Sequence, residues 1–448
     1  MQELFKKGGD FLYLVSVAHL FICLVVIYNA WLFLRSNRHT LFAFMLIAFV
    51  LTDSIGLVIA PYLPLENIKY LPNPVFLIND SDLNLYLKQV SAHWIFLIIS
   101  LLMILFEMST SKKPKISNTY RKSTIKTFGV LFFLVGLAAY IKYFFIGPGL
   151  QILLNTRLFF SSTAESIASR MLAARMIQYG QGAYASSIAS AIIFPLSALF
   201  FFRSLNKGRW LSFILCAFFS FMYAYQARQK GPLLFWFLTY FLLFVLERQN
   251  IPLSEYKNIF KGKFTKLSLF VGLVGAIVLY VINFGQSLAS AIEATLMRIF
   301  IIPGAIENYY FAVFPQIYKY RGIFRIFYIP LGLLTVNNDF SIYDVARAIT
   351  GTGSSTNASF IAVAWSGAGY LGVFLVSVIL VFIFVFVDKE LDRLEYRDYL
   401  ATIVLSLYSI IGFNSGSIMD YINKGGIVIP LIITFVFTHA KTKPRSSN

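Results

Sequence analysis

The stretch Trp210–Leu246, WLSFILCAFFSFMYAYQARQKGPLLFWFLTYFLLFVL, decides the fold. It is apolar almost throughout, with one polar interruption at Ala227-Arg228-Gln229-Lys230-Gly231-Pro232. Each flank is close to the minimum of roughly 17 apolar residues that a membrane-crossing helix needs. Backbone groups in lipid must be paired internally, so the stretch reads as two helices joined by a hairpin with two cations at its tip.

Composition carries this reading to the whole chain. Of 448 residues 58% are hydrophobic and 13% charged, with a mean hydropathy of +0.72. Soluble domains hold about 45–50% apolar residues, so a soluble enzyme is excluded. The short alternating segments of a membrane barrel are missing. The expected fold is an all-α polytopic membrane protein forming one integral membrane domain over residues 1–448. Eleven spans are expected: Phe11–Leu34, Leu41–Leu63, Ser91–Met108, Phe128–Ile146, Ser187–Phe202, Trp210–Gln226, Pro232–Leu246, Leu267–Gly285, Ala368–Val387, Tyr399–Phe413 and Gly425–Thr438.

Basic residues give the orientation, because Lys and Arg are retained on the cytoplasmic side. One set of alternate loops holds 22 Lys and Arg in 72 residues and the opposite set 15 in 175. The N-terminus is therefore expected outside and the C-terminus in the cytoplasm. The net charge of +18 is mostly this topology signal, met by anionic membrane lipids, and asks for no nucleic acid. Cys23 and Cys216 lie within apolar spans away from any metal-ligand spacing, so no metal and no cofactor is expected. The first apolar run spans without a cleavage pattern after it, and matched transporter-type halves are not evident.

The outward loops are unequal. Residues 147–186 form one long loop and residues 286–358 the major one, whereas loops beyond about 12–15 residues are usually functional or disordered. The major loop is rich in Ile, Phe and Tyr and so can bury apolar surface. Its segment Thr295–Phe314 resembles a span but carries Arg298, Pro303, Glu307 and Asn308. A short interfacial or re-entrant helix pair is expected there, since ionisable groups at depth must face protein or a wet cavity. Ala358–Trp365 is expected to begin a further helix. The preceding run Gly351-Thr352-Gly353-Ser354-Ser355-Thr356-Asn357 would direct amides and the hydroxyls of Ser354 and Ser355 at an anion, with Asn357 as cap, or serve as a plain linker.

Outward cations supply the chemistry expected of this surface. Arg228 and Arg298 lie against apolar sequence, where a purely solvated role is disfavoured, and an Arg fork suits phosphate oxygens. Snorkelling to headgroups or pairing with an outward carboxylate would also account for these two. Lys230, Arg321, Arg325 and Arg347 add candidate substrate-binding charge, although a basic surface helix would equally explain Arg321 and Arg325. Candidate bases for an attacking hydroxyl are Glu307 and Asp420, with Asp339 and Asp344 beside them. Asp420 is also spaced to pair with Lys424. His93, at the outer end of the third span, is a further candidate base, although beside Trp94 it reads more readily as an interface residue. Asp53 lies inside a span, costly there and without a partner visible in the sequence.

The hairpin Ala227–Pro232, the segment Arg298–Asn308 and Gly351–Gly372 leading into an apolar span together resemble the Wzy-type O-antigen polymerases, the oligosaccharide repeat-unit polymerases of the bacterial inner membrane. The resemblance covers most of the chain in layout and is much weaker in letters. It implies a metal-independent glycosyltransferase with a GT-C-like membrane fold, acting on undecaprenyl-diphosphate-linked glycans at the periplasmic face. It also implies a flippase and a chain-length regulator of the same pathway as partners. Arg228 and Arg298 would then stabilise the leaving diphosphate and a carboxylate would activate the acceptor hydroxyl. The major loop contains no His, which favours a polymerase over an O-antigen ligase. A flippase of lipid-linked sugars is the non-enzymatic alternative.

Overall fold

The computed structural model describes residues 2–35, 40–59, 80–110, 125–145, 210–226, 287–323 and 359–391, with single positions 150, 197, 240, 270, 274, 344, 345, 347 and 348. Every regular element among them is helical. These are α1 (Gln2–Arg35), α2 (Thr40–Phe49), a π turn (Val50–Ser54), α3 (Ile55–Ile59), α4 (Asp80–Thr110), α5 (Ile125–Phe145), α6 (Trp210–Gln226), α7 (Leu288–Phe300), α8 (Ile302–Val313) and α9 (Phe360–Leu391).

Four stretches among the described residues are long and apolar enough to cross a membrane: Asp10–Leu34, Leu41–Ile59, Leu83–Ser109 and Phe360–Lys389. Their outer faces carry Phe21, Leu24, Leu102, Phe106, Phe382 and Phe386, all exposed. Helices apolar on both inner and outer faces belong in lipid. The expected spans beginning at Phe11, Leu41, Ser91, Phe128, Trp210 and Ala368 fall on described helices, though α4 starts at Asp80, well before the apolar run. The other five expected spans lie outside the described residues, apart from isolated helical positions.

The described elements divide into two compact units. In one, α5 and α6 pack through buried Tyr140 and Tyr143 against Phe219 and Met222. The other holds α1 to α4, α7 from Ala289, α8, and α9 as far as Asp388. Here α1, α2–α3 and α4 meet in successive levels, as antiparallel neighbours must. Val15, Leu57, Tyr86 and Val90 share one apolar level. His19, Ser54 and His93 share the next, tied by hydrogen bonds. Tyr86 adds polar ties from its hydroxyl to Ser16 Oγ at 2.9 Å and to the Leu57 carbonyl at 3.2 Å.

The far end of this unit is fixed by one carboxylate. Asp388, buried near the end of α9, accepts the Leu41 amide on Oδ1 and the Phe42 amide on Oδ2, both at 2.9 Å. The first amides of a helix have no intrahelical acceptor, so a residue some 347 positions away supplies the cap for α2. The contact puts the start of α2 and the end of α9 on one side of the unit, as the expected alternation of loops requires.

That cap constrains the shape of α9. Phe360 packs its ring against Phe49 at 5.4 Å, and Phe49 lies only about 12 Å along α2 from Leu41. A straight helix from Phe360 to Asp388 would extend about 42 Å. The two contacts are compatible only if α9 folds back, and the break lies at Ala368 (φ −157°, ψ 28°) and Gly369 (φ 58°, ψ −139°). Gly369 has a positive φ, a backbone conformation that favours glycine. The last carbonyls of the first arm, Ser366 and Gly367, accept the amides of Arg321 and Gly322 at 3.0 and 2.8 Å. Length and composition alone would therefore overstate this span; residues 360–367 form the separate helix expected to begin near Ala358. Replacing Asp388 by Ala should destabilise the protein by about 1.5–3 kcal/mol, the range for hydrogen bonds to a charged group. Asp388→Asn should lose less, and unfolding in detergent would measure both.

Candidate functional site

A buried polar cluster lies where α8 meets the spans. The π turn makes it possible, because one extra residue per turn brings Asp53 and Ser54, neighbours in sequence, both into the interior. Two glycines bring the backbones together. A Cβ on Gly304 would meet the Asp53 carbonyl oxygen at 2.6 Å, and one on Gly56 would meet the Phe300 carbonyl oxygen at 2.6 Å. Small residues permit such approach between membrane helices. Pro303 sits in the first turn of α8, where its missing amide leaves no helical bond unmade. Glu307, one turn beyond Gly304, is thereby carried into the interior with no solvent exposure.

Glu307 Oε2 lies 2.6 Å from His93 Nε2. Gln89, four residues before His93 on α4, donates to the Gly304 carbonyl at 2.7 Å and to Glu307 Oε2 at 3.3 Å. On the other edge of the imidazole, Nδ1 is 2.9 Å from Ser54 Oγ. His19 completes the level: Trp94 Nε1 donates to its Nδ1 at 3.0 Å, and its Nε2 donates to the Ser54 carbonyl at 3.1 Å. An indole N–H only donates, so His19 Nδ1 carries no proton and His19 is neutral. Asp53 Oδ2 is 2.9 Å from Thr52 Oγ1. Asp53 Oδ1 and Glu307 Oε1 are buried and have no hydrogen-bond partner among the described residues.

Aromatic rings close one side of the cluster. Phe49 stacks on His93 at 5.1 Å and packs with Phe96 and Phe360 at 4.8 and 5.4 Å. The apolar level of Val15, Leu57 and Val90 closes the opposite side. The arrangement can accept, hold or pass a proton through carboxyl and imidazole groups. Among the described residues no group of His, Cys, Asp and Glu is suited to a metal ion.

The sequence-derived candidates are distributed as follows. Glu307 enters the cluster. Arg298 lies on α7, separated from α8 only by the break at Ile301. Arg321 is half-buried in the segment whose amides cap the first arm of α9. Arg347 is exposed and 3.5 Å from the Asp344 carboxylate, three residues earlier, and such surface pairs contribute little. Arg228, Lys230, Arg325, Ser354, Ser355, Asn357 and Asp420 lie outside the described residues. Tyr309 and Tyr310 are buried, whereas Tyr318 and Tyr320 are partly exposed.

Sequence reasoning gave His93 an interface role, but it is fully buried and bonded to Glu307. It passed over His19, Gln89 and Ser54. The available signal was an ionisable or amide side chain in each of three apolar segments, with Gln89 and His93 one helical turn apart on one face. Comparison with family models, curated proteins and solved structures found no match to this chain.

Gly304→Ala tests the close approach. At an ordinary helical position this change stabilises by about 1 kcal/mol. Here the sign should reverse, lowering the unfolding midpoint in detergent, because the added methyl meets the Asp53 carbonyl.

Proposed function

We propose that this chain polymerises lipid-diphosphate-linked oligosaccharide repeat units, as a metal-independent glycosyltransferase at the periplasmic face of the bacterial inner membrane. The observation that carries the reading is the position of Glu307: a carboxylate from the major outward loop is built into the helical body and held by His93 and Gln89, immediately after the helix bearing Arg298. A loop that only linked two spans would have no reason to bury an ionisable group at such cost.

In the proposed reaction the acceptor sugar hydroxyl attacks the anomeric carbon of the donor glycan. The C–O bond to the lipid diphosphate breaks, the diphosphate oxygen takes the bonding electron pair, and the hydroxyl proton passes to a base. Arg228 and Arg298 stabilise the charge developing on the diphosphate. Glu307 is the base, oriented by His93; because it is enclosed in this structure, the reaction requires α8 to shift when substrate binds. Placing two lipid-linked substrates in one membrane plane supplies proximity.

A second reading is a carrier of lipid-linked sugars driven by protons. It is favoured by the closed carboxyl and imidazole cluster and by the folded-back α9, since interrupted helices and buried acid–His chains also mark transport sites.

The surface-glycan ladder of a deletion strain separates the readings. Complementation with the unchanged chain should restore a multi-repeat ladder. Arg298→Ala, Arg228→Ala and Glu307→Gln, present at normal membrane levels, should leave mainly single-repeat glycan, with transfer reduced about 10²–10³-fold for a lost oxyanion-type contact. A deletion strain lacking even the single-repeat band would overturn polymerisation and favour the carrier.

A further inference from the structure

The described side chains facing the Asp53 and Glu307 carboxyls come from four elements. From α1 there is His19, at the far edge of His93. The π turn supplies Thr52 and Ser54, α4 supplies Gln89 and His93, and α8 brings Glu307 itself. No Lys or Arg among the described residues pairs with either carboxyl. His19 is held neutral by the indole donor, so among the described residues His93 is the one group in the cluster able to offset negative charge. Among the described groups, two carboxylates against at most one imidazolium leave a net negative charge in a site closed by Phe49, Phe96 and Phe360 on one side. Uncompensated charge is not tolerated in such surroundings.

Two hydrogen bonds among the described residues point the same way. Thr52 has one hydroxyl hydrogen and two acceptors at 2.9 Å, the Ala48 carbonyl and Asp53 Oδ2. Both contacts are full hydrogen bonds if Thr52 donates to Ala48 and Asp53 carries a proton that it donates to Thr52. Glu307 Oε2, by contrast, accepts from Gln89 at 3.3 Å and lies 2.6 Å from His93 Nε2.

We propose that Asp53, Glu307 and His93 form a binding site for one exchangeable proton, and that this proton latches α8 onto the spans. With the proton on Asp53, Glu307 and His93 close as a compensated pair. Its release leaves two like charges where α8 crosses the π turn at Gly304, and the helix undocks. The docked state holds the extra proton, so docking is favoured at lower pH and lost as pH rises. This inference stands apart from the glycan reading, because a latch of this kind would serve an enzyme or a carrier equally.

Hydrogen exchange of residues 302–313 in the full-length protein, reconstituted in liposomes of neutral lipid and followed against pH in potassium and in sodium buffers, tests the latch. After correction for intrinsic exchange, opening that releases one proton should become more favourable by about tenfold per pH unit between the ordinary carboxyl range and the docked release point, and level off above it. Infrared spectra of the same samples should show the carbonyl stretch of a protonated carboxyl that fades over the same window, in the unchanged protein alone. Asp53→Asn, which needs no proton, should remove the band and flatten the pH dependence. Exchange independent of pH with no such band would overturn the proposal. Protection restored by sodium at high pH would overturn the proton as ligand and make the site one for sodium.

Discussion

The contact between Glu307 and His93 at 2.6 Å is the constraint around which the larger helical unit is organised. It joins a segment that the sequence places in a loop to the interior of an apolar bundle. Breaking one side of a buried pair leaves the other group buried and uncompensated, typically at about 3–5 kcal/mol. The neighbouring features each make that contact geometrically possible. The π turn directs Asp53 and Ser54 inward, Gly56 and Gly304 let the backbones meet, and Gln89 fixes both the Gly304 carbonyl and the carboxylate.

A second constraint acts at the opposite end. Asp388 caps α2 and so fixes where α9 must finish, which together with the Phe360–Phe49 contact forces the chain to turn at Ala368 and Gly369. The turn is then covered: Tyr320 Oη would lie 2.8 Å from a Cβ on Gly369, and Trp365 donates to the Phe314 carbonyl at 3.0 Å while stacking on Phe311 at 4.6 Å. Two elements that do not cross the unit, α8 and the first arm of α9, thus meet each other through aromatic packing. Non-spanning helices survive at such places because protein satisfies their terminal backbone groups.

Four of the expected spans, those beginning at Phe11, Leu41, Ser91 and Ala368, were legible in the sequence because lipid imposes a length and a composition on them. A helix pair in place of a span was legible for a related reason, since Arg298, Pro303 and Glu307 do not suit a plain lipid-facing span, although α7 begins at Leu288, ahead of the expected Thr295. The separate helix before Gly369 was foreseen from its small-residue approach, but its folded-back geometry depends on the remote Asp388 cap. The partners of Asp53 and Glu307 were not legible. They are assembled from four elements spread across nearly 290 residues, and a π turn shifts the register of side chains in a way that an ordinary 3.6-residue period does not reveal. His93 was misjudged because a His beside a Trp near a span end commonly sits at the interface, whereas here Trp94 turns to His19 and His93 to Glu307.

The most direct measurement is a double-mutant cycle between His93 and Glu307, using His93→Gln and Glu307→Gln singly and together, with unfolding followed by detergent titration in mixed micelles. Docking of α8 through this pair requires a coupling energy of about 1–3 kcal/mol, so that the second change costs much less once the first is made. Strictly additive losses would show that the two side chains act independently, and would contradict the placement of Glu307 as the group that holds α8 in the bundle.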